Sequence, residues 1–230
     1  MTKPLAVVAV GGNALILDDQ HMALADQYDA VCETATHVAT MIAAGWNVVL
    51  THGNGPQVGF ILRRSEIADG QVPTVPVQYA VGDTQGAIGF MFQNALGNAL
   101  LQRGIKIPVV TLVTQTLVDR RDPAFAKPDK PIGSFMTEEV AHQLAAKLGW
   151  TVMQDGDRGW RRAIASPQPQ RVIEAPIIER LAREGTLIIA CGGGGIAVEE
   201  TEGGELRGVE AVIDKDRASA MLAIEMRADL

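Results

Sequence analysis

Three short apolar runs each break off into glycine: LAVVAV (5–10) into Gly11 and Gly12, WNVVLT (46–51) into the stretch Gly53-Asn54-Gly55, and TLIIAC (186–191) into Gly192–Gly195. Continuous apolar runs of this length suit strands buried on both faces, as in parallel sheets. Between them the spacing turns helical. Val31, Ala35, Val38, Met41 and Ile42 share one helix face before a stop at Gly45. Ile88, Phe92, Ala95, Leu96 and Ala99 share another before Gly104. Pro108–Val113 reads as a further strand, Ala175–Arg183 as a helix, and a last helix opens near Asp214. Alternating strands and helices imply a mostly parallel sheet covered on both faces, an α/β fold. In such sheets ligands bind beyond the carboxyl ends of the strands. Glycines there let main-chain N–H groups approach anionic oxygens, and a following helix N-terminus adds positive charge. A tight strand-to-helix turn explains any one cluster equally well. Three at the same sheet edge favour a phosphate or carboxylate site.

Composition narrows the classes. The chain has 230 residues, 47% of them hydrophobic, with 20 Lys+Arg against 27 Asp+Glu and a formal charge of −7. A packed core is expected, organised as a single domain. Net acidity speaks against a nucleic-acid scaffold, although a few local lysines are enough for a phosphate ligand. No apolar run approaches the ~20 residues of a membrane-spanning helix, and no signal peptide opens the chain. Cys32 and Cys191 read as reduced, buried thiols of a cytoplasmic protein. The stretch 114–170 differs from the rest. It carries Pro123, Pro128, Pro131, Pro167 and Pro169, and only Thr137–Leu148 has a helical pattern. We read it as an arm or lid inserted into the α/β core.

Several motifs bear on chemistry. No Walker-type G-x-x-x-x-G-K-[ST] occurs. Gly192, Gly194 and Ala197 fit the dinucleotide pattern G-x-G-x-x-A, with Asp214 at a suitable distance, but that fingerprint needs a helix at the turn. Here EETEGGELR (199–207) reads as a hairpin instead. In VIDKD (212–216), Asp214 and Asp216 suit a helix cap, whereas Lys215 at a helix start opposes the dipole unless it answers a negative charge, from those carboxylates or from a phosphate. In KPIG (130–133), Lys130 is either an exposed turn lysine or one held in place by Pro131. Arg158, Arg161 and Arg162 add local positive charge or are simply solvated. The four histidines show no metal-ligand spacing, no metal site is expected, and His52 is read more readily as a structural residue than as a site residue. No nucleophile elbow occurs.

Taken together, VVAVGGNAL (7–15), THGNGPQVG (51–59), DKPIGSFMTEEVA (129–141), DRGWRR (157–162), CGGGGIAV (191–198) and GVEAVIDKDRASAMLA (208–223) resemble the carbamate kinases of the amino acid kinase family, in order and over nearly the whole chain. The resemblance implies a three-layer α/β/α sandwich around a mainly parallel sheet, with a protruding subdomain at 114–170. It implies reversible phosphoryl transfer between ATP and carbamate, Mg2+ carried mainly on the nucleotide phosphates, and a cytoplasmic homodimer with no nucleic-acid or membrane partner. Gly11, Gly12, Asn13, Gly53, Asn54 and Gly55 would hold the carbamate and the transferring phosphoryl group. Lys130 would reach in from the arm, Lys215 would stabilise the phosphoryl oxygens, and Asp216 would orient both lysines. Gly192, Gly193, Gly194, Gly195 and Asp214 would lie on the nucleotide side. Where many family members carry a lysine before the first glycine turn, this chain has Val10, and Lys130 takes its place as in carbamate kinases. Carbamate kinases continue past the equivalent of Leu230, so the expectation is a C-terminally incomplete kinase, its carbamate half intact and its own turnover open. The competing expectations are a non-catalytic module that binds carbamoyl phosphate or dimerises, and a kinase for another small carboxylate.

Overall fold

The computed structural model of the chain describes residues 3–11, 15–16 and 21–230. In chain order the elements are β1 (Leu5–Val10), α1 (Leu24–Ala43), β2 (Asn47–His52), α2 (Gly55–Ile67), α3 (Val77–Gln102), β3 (Val109–Thr111), β4 (Gln115–Val118), α4 (Pro123–Ala126), β5 (Lys130–Met136), α5 (Glu138–Leu148), β6 (Thr151–Gln154), β7 (Trp160–Ile164), β8 (Pro169–Val172), α6 (Ala175–Arg183), β9 (Leu187–Ala190), β10 (Ile196–Glu200), β11 (Leu206–Gly208) and α7 (Lys215–Glu225).

The main sheet runs β1-β2-β9-β3, and every neighbouring pair in it is parallel. The two-residue period of a strand divides its side chains between two helical layers. Val48, Leu50, Leu187 and Ile189 pack with Val31, Val38, Phe92 and Leu96 of α1 and α3. Val49, Ile188 and Ala190 pack on the opposite face with Ile178 and Ala182 of α6 and Leu222 of α7. Helix, sheet and helix therefore form three layers, as expected from uninterrupted apolar strands. Burial of one large side chain such as Phe92, fully enclosed between α3 and the sheet, contributes about 1.5–3 kcal/mol. Among the described residues no helix is long and apolar enough to cross a membrane.

A second sheet, β11-β10-β4-β8, grows out of the first. Strands β3 and β9 lie side by side, and beyond Leu112–Thr114 and Cys191–Gly195 the same two chain directions resume as the parallel pair β4 and β10. The Leu112 amide donates to the Ile189 carbonyl and the Ile196 amide to the Thr114 carbonyl, at 2.9 and 2.8 Å, so the ladder bridges the glycine turn. The polar stretch 199–207 is the expected hairpin, with β10 and β11 antiparallel. The glycine run therefore leads into a strand and not a helix, which removes the dinucleotide fingerprint.

Residues 130–164 build a third, antiparallel sheet, β5-β7-β6, with α5 beside it. The ends of the stretch 114–170 belong elsewhere, since β4 and β8 pair with each other in the second sheet. Thr137 caps α5 with its side chain, and Gly149 ends it in the left-handed region at φ 69°. Lys130 sits in β5 and not in the turn that the adjacent proline suggested. The strand lies at a sheet edge, where a residue without N–H is tolerated.

Candidate active site

The carboxyl ends of the main strands, the start of α2, the edge of β5 and the start of α7 enclose a cavity of about 820 Å³. Its walls include Gly53, Asn54, Gly55, Lys130, Gly193, Asp214, Lys215 and Asp216. These residues span the chain from 53 to 216, and the topology brings them to one place. Gly192, Gly194 and Gly195 are buried behind the wall. Gly11 ends β1 but is not part of the lining, and Gly12 and Asn13 lie outside the described residues.

Each wall has a local cause. Helix α2 begins at Gly55, with Pro56 in its first turn, and its unpaired N-terminal N–H groups open towards the cavity. The Asn54 side-chain amide donates to the Thr84 hydroxyl at 2.8 Å, and that hydroxyl donates to the Val81 carbonyl at 2.6 Å. A Cβ on Gly193, whose φ is +64°, would fall 2.3 Å from the same Asn54 amide, so only glycine fits beneath it. Behind it Gln85 donates to the carbonyls of Gly192 and Thr114, both at 3.1 Å, and the Thr116 hydroxyl donates to the Gly194 carbonyl at 2.7 Å. The glycine turn is thus held from α3 and β4 by buried polar side chains, every one of them paired.

Asp214 caps α7, accepting from the amides of Asp216 and Arg217 at 3.0 and 3.1 Å. In the second turn of α7 the Ser219 hydroxyl donates to the Lys215 carbonyl at 2.6 Å and shares a hydrogen bond with Thr51 of β2, also 2.6 Å. The first turn of α7 is therefore pinned to the main sheet. Lys215 forms an ion pair with Asp216, and Lys130 stands 3.7 Å from Asp214. Asp216 serves one lysine and Asp214 the other, where the resemblance has Asp216 orient both. Partial burial pushes the Asp214 carboxyl up, but the Arg217 amide, Lys130 and the Asp216 amide outweigh that and hold it below the usual carboxylate range.

Charge sets the preference of the cavity. Arg63, Lys130, Arg161 and Lys215 face two carboxylates, Asp214 and Asp216, in a chain that is acidic as a whole. Two helix N-termini add to the positive side. This donor set suits an anion with several oxygens, such as a phosphoryl group. His52 is not in the wall. Its ring is 1% exposed, stacks on Phe92 at 5.9 Å between centroids, and hydrogen-bonds the Gly53 carbonyl through Nδ1 at 2.9 Å. Burial lowers its pKa to about 4 against the smaller upward pull of the Gly53 carbonyl, so it is neutral at neutral pH. It is the structural histidine.

Arg63 was not among the sequence candidates, although a signal for it existed. Gly55, Gly59 and Arg63 recur every four residues along one face of α2, and all three line the cavity. Thr84, Gln85 and Thr116 left no comparable trace, being polar residues whose partners lie far off in the chain.

The chain resembles known proteins over almost its whole length. The model of the amino acid kinase family matches residues 4–230. The chain is 48% identical to a carbamate kinase of Thermococcus kodakarensis, over 97% of this chain and 72% of that protein. It is 47% identical to the carbamate kinase-like protein YahI of Escherichia coli, over 99% of this chain and 73% of that protein. Among solved structures, carbamate kinase from Giardia lamblia bound to AMP-PNP superposes with a TM-score of 0.92 at 38% identity, covering 99% of this chain and 72% of that one. With the glycine-edged parallel sheet, the lysine-bearing cavity and these similarities in agreement, the chain belongs to the amino acid kinase family.

Proposed function

We propose that the chain catalyses reversible phosphoryl transfer between ATP and carbamate, giving ADP and carbamoyl phosphate. The observation that carries the reading is the convergence of Lys130, from strand β5, and Lys215, from the start of helix α7, on one cavity that the N-terminus of α2 also lines. Relatives named carbamate kinase at 47–48% identity support the choice of acceptor. In the synthetic direction a carbamate oxygen attacks the γ-phosphorus, a new O–P bond forms, and the bond to the ADP oxygen breaks. Carbamate is already an anionic nucleophile, so no side chain has to take a proton. Positioning and neutralisation carry the reaction. Gly53, Asn54 and Gly55 hold the acceptor and the moving phosphoryl group, Lys215 and Lys130 neutralise its oxygens, and Asp216 fixes Lys215. Gly193 and Asp214 face the nucleotide.

The nucleotide would arrive with Mg2+. Among the described residues no three His, Cys, Asp or Glu side chains cluster to hold a metal by themselves. Among the described residues the cavity offers the carboxylates of Asp214 and Asp216, which suits an ion carried mainly on phosphate oxygens. A cytoplasmic homodimer completes the reading. Tyr79, Phe90 and Leu101 recur every 11 residues along α3, about three turns, and each is roughly two-thirds exposed. They stand as three separate apolar side chains on one side of α3, about 16 Å apart along the axis, and are the contacts proposed for a second copy of the chain.

The deciding experiment mixes the purified chain with carbamoyl phosphate, ADP and Mg2+ and follows ATP. Time-dependent ATP formation is expected. Calorimetric binding of carbamoyl phosphate without ADP binding or ATP formation would replace the enzyme by a binding module. ATP-dependent ADP release with other small carboxylates, but not with carbamate, would change the acceptor.

A further inference from the structure

Arg161 has so far counted only as one positive charge in the cavity wall, yet the stretch Asp157–Arg162 lies directly against the segment that carries Lys130. We propose that Arg161 is a positioning residue for Lys130, bracing the bulge in β5 so that the lysine ammonium enters the cavity at a fixed reach. This rests on the reading of the cavity as a phosphoryl-transfer site with Lys130 in it.

The ladder between β5 and β7 pairs Lys130 with Ile164, Pro131 with Ala163 and Ile132 with Arg162, then resumes only at Met136 with Trp160. Gly133, Ser134 and Phe135 therefore face the single residue Arg161. Such a bulge interrupts the ladder and leaves main-chain groups without their cross-strand partners. Here the chain turns through Gly133 at φ +78°. Arg161 closes the gap with its side chain. Its Nε donates to the Gly133 carbonyl at 3.1 Å, its Nη1 donates to Asp155 at 2.9 Å, and its guanidinium lies 4.9 Å from the centre of the Phe135 ring. Arg158 holds the same ring at 4.4 Å. The brace is itself anchored. The Asp155 amide donates to the Gly159 carbonyl at 2.8 Å, and a Cβ on Gly159 would fall 2.8 Å from the Met136 carbonyl oxygen. The bulge is thus held at Gly133, at Phe135 and beside Met136.

Arginine suits the task where lysine does not. Its planar fork aims two hydrogen bonds in fixed directions and stacks on a ring, whereas an ammonium is a flexible point charge. Gly133 follows Lys130 by three residues, and both line the cavity with Arg161. A slip of the bulge would move Lys130. A displacement of about 1 Å at a reacting centre costs up to ~100-fold in rate. The plainer role for Arg161, one more positive charge in the wall, makes the opposite prediction for a lysine replacement.

The test compares wild type, R161K and R161M by hydrogen–deuterium exchange and by steady-state ATP formation from carbamoyl phosphate and ADP. The expected result is exchange at 133–136 at least about tenfold faster in both variants, with β2 and β9 unchanged. In R161K, kcat falls about 10–100-fold while KM for carbamoyl phosphate stays within about threefold. Unchanged exchange at 133–136, or wild-type kcat in R161K, would overturn the proposal. Should R161M fail to fold, R161K decides alongside D155A, which removes the anchor outside the cavity and should speed the same exchange. If the wild-type chain forms no ATP, the functional reading fails and the exchange arm alone judges the brace.

Discussion

At the scale of single residues the site is an arrangement of charge. Lys130 and Lys215 each stand by a carboxylate of the α7 cap region, which keeps both ammonium groups at the cavity without filling it. In the proposed mechanism, replacing either by alanine removes a donor to the moving phosphoryl group, and such a loss typically costs about 10²–10³ in kcat. K130A and K215A should therefore retain the fold by circular dichroism and lose ATP formation to that extent. Near-normal turnover in either would remove that lysine from the mechanism. His52 makes a prediction about stability instead. Its pKa is about 4 when folded and near 6.5 when free, so between those values the unfolded chain binds a proton that the folded chain refuses. Stability rises with pH through that window and is level above it. The full effect is about 3 kcal/mol, lost as pH falls from 6.5 to 4. H52Q keeps a donor for the Gly53 carbonyl but cannot titrate. Urea midpoints across this range should converge less steeply with acid in H52Q than in wild type, and identical slopes would refute the burial argument.

Among elements, α3 lies against β3 with no room for a side chain at Gly89. A Cβ on Gly89 would fall 2.2 Å from a methyl carbon of Thr111. Alanine normally favours a helix interior over glycine by about 1 kcal/mol. Here overpacking outweighs that preference, so G89A should destabilise by roughly 1–3 kcal/mol, and T111S, which removes the methyl, should recover part of the loss. Additive chemical-denaturation effects of the two changes would contradict the contact. The elements also show where patterns in the chain were readable. Helix α5 was legible because Val140, Leu144 and Leu148 keep a four-residue period and Thr137 caps it. Helix α2 was not, because Gly55, Pro56 and Gly59 mask it as a loop, and its start is stabilised by Asn54 and Thr84, which only the fold brings together. The strands β4 to β8 were equally hidden, each being part-exposed, and β5 to β8 each containing proline or glycine or lying within two residues of one.

For the molecule as a whole, an acidic chain with a positive cavity would draw in anionic substrates only at short range. Tyr79, Phe90 and Leu101 are exposed on one side of α3 and are the proposed contacts with a second copy. Sedimentation equilibrium should yield twice the chain mass of 24.5 kDa for wild type and the single mass for F90D. A monomeric wild type at all concentrations would dispose of these three residues as a dimer contact.

The alternation of β1, β2, β3 and β9 with α1, α3 and α6, the parallel character of the main sheet and its glycine edge were determined by the sequence itself. Apolar period and glycine placement are local properties, and each acts within a few residues of chain. The meeting of Lys130 with Asp214, of Asn54 with Thr84, of Gln85 with the Gly192 carbonyl, and of Arg161 with a bulge in the neighbouring strand was decided only by the tertiary structure. Hydrogen bonds and ion pairs are directional and short, so they form only after apolar burial, which has no direction, has brought distant segments side by side.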